Sequence, residues 1–155
     1  MNDAHLHLVV NHFPIIGTLF GLGILITGML LKNNSVKNTA YILFIVAAIF
    51  AAFSMGTGEG AEELVEDLPN IGKQIIHEHE EIAEKFAIIM YVTGFLGLLS
   101  LYTSIKNHNL AKIFSFITLA LALLAAVFAK SVGTSGGEIR HTEIRSNSGA
   151  GSSEN

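Results

Sequence analysis

Histidine is a scarce residue, yet here it is crowded. His5, His7 and His12 precede the first long apolar stretch, His77 and His79 precede the third, and His141 follows the fourth. The seventh, His108, stands apart in a short connection and reads as a solvated residue. Glu59, Glu62, Glu63 and Glu66 follow the second apolar stretch. Imidazoles and carboxylates gathered from distant segments are the raw material of metal sites. The plain alternative is a solvated polar face.

Helical spacing sorts these residues. Ile71, Ile75, His79, Ile82, Ala83, Phe86, Ile89 and Met90 recur at steps of three and four, so His79 joins an apolar stripe and is expected to face a helix-bundle interior. His77 groups with Glu80, Glu81 and Glu84 on the wet face. Pro14 suits the first turn of a helix, where its missing N–H costs nothing, with Asn11 or His12 as the cap. His12 is then expected to turn inward. His5 shares that face only if the helix continues back past Pro14, in which case His7 points away.

Two neutral imidazoles facing each other across a bundle are what a b-type haem needs axially. His12 and His79 are the expected pair, with His5 and His141 as alternates and Arg140 as a partner for the propionates. The competing site is a Cu, Zn or Fe ion held by His5, His12, Glu59, Glu63, His79 and His141, Glu59 and Glu63 sharing a helical face.

The elements that would position these groups are membrane spans. Crossing the hydrocarbon core takes about 20 mostly apolar residues. Four stretches qualify: Phe13–Leu31, Thr39–Gly56, Ala83–Ile105 and Ile113–Ala129. The fold class expected is all-α, an integral membrane four-helix up-down bundle over residues 1–145, with a tail at 146–155 whose Ser, Gly and Asn content reads as disordered. Thr57–Glu63 reads as a break after span 2, followed by an extramembrane amphipathic helix ending near Leu68-Pro69-Asn70. Gly17, Gly21, Gly94 and Gly97 let helix backbones approach closely.

Only 14% of the residues are charged, and there is no Cys. That excludes disulfides, Fe–S clusters and covalently attached c-type haem. A net charge of −4 without a basic patch argues against nucleic acid as a partner. The acidic, polar start Met1–His5 is unlike a signal peptide. Lys32, Lys37, Lys106 and Lys112 crowd the two short connections, which the positive-inside rule places in the cytoplasm, with both termini outside. No ionisable residue lies mid-span, no hydrolytic triad and no phosphate loop is visible, and an electron-transfer or metal-binding subunit fits better than a stand-alone enzyme.

The run His5-x-His7-x-x-x-Asn11-His12-Phe13-Pro14 resembles the opening of a family of small bacterial four-span membrane proteins of uncharacterised function. Thr57-Gly58-Glu59-x-Ala61-Glu62-Glu63, His79-Glu80 and Gly136-Gly137-Glu138-Ile139-Arg140-His141 extend the resemblance over nearly the whole chain. Gly60 stands where typical members carry Pro. Some relatives are joined to Rieske-type domains, which implies redox work at the surface of a bacterial plasma membrane. The expectation is a membrane-anchored redox protein passing electrons between a membrane donor such as a quinone and an external redox protein. The alternatives are a non-haem metal protein and a structural subunit of a larger complex.

Because the chain lacks Cys, introduced cysteines report its topology. Ser148→Cys should react with a membrane-impermeant maleimide in intact cells, and Asn109→Cys only after lysis. The reverse pattern inverts the orientation.

Overall fold

The computed structural model describes residues 2–66 and 71–145. The described residues are helical apart from short connections. They form α1 (Asp3–Val10), α2 (His12–Leu30), α3 (Asn34–Val65), α4 (Lys73–Ile105) and α5 (Ala111–Arg140), then a single 3-10 turn over Thr142–Ile144. Four units are long and apolar enough to cross a membrane, α1 and α2 together counting as one.

Local chemistry fixes the boundaries. Asn2 caps α1, its side chain accepting from the His5 N–H, and Asn33 caps α3 by accepting from Val36. Pro14 has no N–H to offer the carbonyl of Val10, so the helix is interrupted at Asn11 and resumes as α2. Lys32 and Asn107 take positive φ, 52° and 50°. Each lets the next N–H reach back five residues, Asn33 to the Gly28 carbonyl and His108 to the Thr103 carbonyl, both at 2.9 Å. These C-terminal locks make the two short connections tight reversals.

Added Cβ atoms reveal the packing. At Gly17 one would lie 2.9 Å from Ala47 Cβ, and at Gly21 2.6 Å from the Phe44 ring. Gly94 meets Ala48 Cβ at 2.5 Å, and Gly97 meets the Tyr41 carbonyl at 3.1 Å. Residue numbers rise on one helix as they fall on its neighbour, so α2/α3 and α3/α4 run antiparallel. α5 closes the ring by packing on α4 and α2. Two interior contacts cross the diagonals: Thr18 Oγ1 to Met90 Sδ at 3.0 Å, and the Tyr41 hydroxyl to Ser115 Oγ at 2.6 Å.

The interior is built of small and hydroxylated side chains. Ala40, Ala47, Ala51, Ala122, Ala125, Thr18, Thr93, Ser100 and Thr118 are buried, whereas Phe20, Phe95, Leu30 and Val127 are 60–77% exposed. In water such an apolar exterior would drive association, but facing lipid it costs nothing.

The middle segment departs from the expectation. Thr57–Glu63 is no break, because α3 continues unbroken to Val65. Glycine in a helix costs only about 1 kcal/mol, and α1 lies along this stretch. An added Cβ at Gly60 would meet Asp3 Oδ2 at 2.5 Å. No separate amphipathic helix stands between spans 2 and 3 among the described residues. The expected end at Leu68-Pro69-Asn70 and the tail at 146–155 lie outside them.

Gly94→Ala should destabilise the fold by about 1–3 kcal/mol through overpacking. Gly23→Ala, with nothing within 4 Å of its added Cβ, should stabilise it by up to about 1 kcal/mol. Thermal unfolding in detergent checks both.

Candidate functional site

Helices α3, α4 and α5 contain 32, 33 and 30 residues. At about 1.5 Å per residue each reaches roughly 45–50 Å, against a hydrocarbon core of about 30 Å. The tight reversals tie down the lysine end, so the excess emerges at the other, histidine end. The described residues before Phe13, at 57–66 and 71–82, and beyond Ala129 fall outside the segments that the sequence marks as spans.

Here each core stripe ends in a polar group. The buried positions Leu25, Gly21, Thr18, Pro14 and Val10 run back along α2 and α1 to His7. Phe44, Ala47 and Ala51 lead to Ser54 and Thr57 on α3, Met90 and Phe86 lead to His79 on α4, and Ala129 and Val132 lead to Ser135 on α5. His7, Ser54, Thr57, His79 and Ser135 thus form a polar layer above the apolar cluster of Ala51, Phe86, Ala129 and Val132, with Ile76 buried one turn further out on α4.

Both inward histidines are held at Nδ1 by a hydrogen bond to another helix. His7 Nδ1 lies 3.1 Å from the Ser54 carbonyl, which can only accept, so Nδ1 carries the proton and donates. His79 Nδ1 lies 2.9 Å from Ser135 Oγ. The Ser135 hydroxyl also lies 3.2 Å from the Val132 carbonyl, and its single proton can go to that carbonyl or to His79 Nδ1. With Nδ1 protonated, His7 is left with an unprotonated Nε2. Gly136 makes room for His79, since a Cβ there would lie 3.0 Å from its Cε1.

Burial keeps both rings neutral. Desolvation, and then the neighbouring His7, pull the His79 pKa down to about 4. Desolvation also lowers that of His7, with His12 adding to the effect and the Ser54 hydrogen bond opposing it. His7 and His79 are therefore close enough to repel each other's charged forms.

Beside this layer Glu80, on α4, forms a hydrogen bond with Glu62, on α3. Desolvation, the Glu62 bond and the charges of Glu62 and Glu84 raise the Glu80 pKa, while His77 opposes them. The far end of α5 is closed by Arg145, whose Nε donates to the Glu138 carbonyl at 2.7 Å and whose Nη2 donates to that of Ile139 at 3.0 Å.

His79 faces inward as its stripe implies, and His77 is exposed beside Glu80 and Glu81. The N-terminal histidines differ from expectation. His7 turns in, contrary to the expected outward direction, whereas His12 is exposed with Nδ1 donating back to the Leu8 carbonyl at 3.0 Å, and His5 is also exposed. Glu59, Glu63 and Arg140 are exposed, and His141 pairs with Glu143 at 2.9 Å. Of His5, His12, Glu59, Glu63, His79 and His141, only His79 enters the core layer. Among the described residues no three His, Asp or Glu side chains converge as a metal-ligand set. Reasoning from the sequence missed His7, Ser54, Thr57 and Ser135. Extending the three-and-four spacing back from Gly21 through Thr18 and Pro14 would have reached His7.

No family model, curated protein or solved structure matches the chain.

Unfolded, His79 titrates at its ordinary 6.5, and in the fold at about 4. Between these values the unfolded chain binds more protons, so stability rises with pH across this window and is lost as pH falls from 6.5 toward 4. Melting temperatures of the protein and of His79→Gln at pH 5 and 7 test this, the variant showing the flatter dependence. Ser135→Ala should cost about 1 kcal/mol and release His79 Nδ1, as read by imidazole ¹⁵N shifts.

Proposed function

We propose that this chain is a membrane-anchored redox protein that binds b-type haem at its histidine end, through His7 and His79 rather than His12 and His79. One observation carries the reading. Two neutral imidazoles from diagonally opposed elements are each held at Nδ1 by another helix, His7 by the Ser54 carbonyl and His79 by the Ser135 hydroxyl, with Nε2 as the nitrogen not so engaged. Haem-ligating and metal-ligating histidines are oriented in this way.

Bound there, haem supplies a one-electron couple. The chain's own residues do the rest. Ser54 and Ser135 hold the two rings in place, burial keeps both uncharged at neutral pH, and Phe86, Ala51, Ala129 and Val132 floor the site with apolar surface. Arg140, exposed on the last turn of α5, offers a fork for a propionate.

The four long helices are read as an up-down bundle in a bacterial plasma membrane, with the lysine loops inside and the histidine end and both termini outside. The resemblance to four-span proteins with Rieske-fused relatives points the same way. A single haem at one face cannot carry electrons across the bilayer. It serves exchange between a membrane donor, such as a quinol, and an external redox protein.

The test is the visible spectrum of detergent-purified protein from haem-replete cells, before and after dithionite. A Soret band that shifts on reduction, lost in His7→Ala and in His79→Ala but kept in His77→Ala and His12→Ala, is expected. A featureless spectrum removes the cytochrome reading, and elemental analysis of the same sample then separates a bound metal ion from a purely structural subunit.

A further inference from the structure

Toward the lysine end the bundle interior is polar, and most of its groups bond one another. Tyr41 pairs with Ser115, and Ser100 pairs with Thr118. Two groups do not. Ser104 Oγ and Asn38 Oδ1 are shielded from solvent and have no hydrogen-bond partner in the protein. Ser104 is only 7% exposed. A helical serine can bond the carbonyl one turn back. Here that carbonyl, of Ser100, has the Thr103 hydroxyl 3.1 Å away, and the Ser104 hydroxyl does not reach it. A buried hydroxyl or amide left unpaired is costly.

The two groups come from neighbouring helices at one level. An added Cβ at Gly94 meets Ala48, and one at Gly97 meets Ile45, so each step along α4 is matched by the same step back along α3. Leu101 and Tyr41, one turn further on, pack in one cluster. The next turn brings Ser104 opposite Asn38. Gly94, Gly97, Leu101 and Ser104 share one face of α4, and Ala48, Ile45, Tyr41 and Asn38 share one face of α3.

We infer that Asn38 and Ser104 hold one buried water molecule that joins α3 to α4 at the lysine end. The number of ligands selects the occupant. A buried water needs about two to four polar partners, whereas a calcium or magnesium ion takes about six or more oxygens. The neighbouring lysines turn elsewhere: Lys37 lies along Gly28 of α2, and Lys106 is exposed. Water also suits either orientation of the Asn38 amide, donating to its oxygen or accepting from its NH2, and it can do either at the Ser104 hydroxyl. Asn38 is only partly covered, so water has a way in from the lysine end. The bridge continues the α3–α4 contact beyond Gly97, with hydrogen bonds in place of backbone packing.

Crystal structures of the full chain, wild type and the double variant Asn38→Leu/Ser104→Ala, at a resolution that shows ordered water, test the site. The wild type should show a single peak within hydrogen-bond distance of both the Asn38 amide and Ser104 Oγ, and the double variant none. A direct Asn38–Ser104 hydrogen bond, a lysine ammonium in that place, or no density there overturns the assignment. Melting temperatures in detergent give a second reading. Ser104→Ala removes one side of the bridge and should lower the melting temperature. Adding Asn38→Leu removes the other side and should recover at least half of that loss. Losses that simply add overturn the shared site.

Discussion

In hydrocarbon, an apolar side chain gains nothing by hiding from lipid, so helices must hold together by close backbone approach. α3 meets this constraint on both sides. Gly17 and Gly21 of α2 admit Ala47 and Phe44, while Gly94 and Gly97 of α4 lie on Ala48 and the Tyr41 backbone. With no side chain to separate them, backbones gain dispersion contacts that lipid cannot replace. The bulky residues consequently point out and the small ones in, the reverse of a water-soluble core. Hydroxyls fill part of the interior and bond across it, as Tyr41 does with Ser115 and Ser100 with Thr118 at 2.9 Å.

The same stripes that pack the spans decide what happens where the helices leave the bilayer. A stripe of small residues continued beyond the hydrocarbon can end in groups too polar for its middle. Here it reaches two imidazoles, two serines and a threonine. The site is thus a polar layer near the end of the core, partly dry and partly wet. Partial burial disfavours the imidazolium, and the Ser54 carbonyl beside His7 decides which of its nitrogens keeps the lone pair. The carboxyl pair Glu62–Glu80 lies at the rim, where partial burial and the neighbouring acid raise the Glu80 pKa.

Concentrating ionisable groups at one end constrains any redox role. If the chain transfers electrons as proposed, donor, cofactor and acceptor would meet at the histidine end. There the exposed acids and His77 face solvent, while Ser135 of α5 holds His79.

Four spans, their short lysine-bearing reversals and the inward face of His79 were legible in the sequence, because apolar length and three-and-four spacing are properties of local chain order. The direction of His7 was not read, although its spacing from Val10, Pro14 and Thr18 contained the signal. Pro14 suggested a helix start, and the short helix before it resumes the same stripe only because it packs along α3. The unbroken run of α3 through Gly58 and Gly60 was likewise a tertiary decision: glycine's local preference against helix is weak, and α1 lying against it outweighs that preference. The settings of His7 and His79 depend on Ser54 and Ser135, which lie 47 and 56 residues away in sequence. Only folding brings those partners to the rings, so composition and spacing named the histidines while packing decided which nitrogens are held.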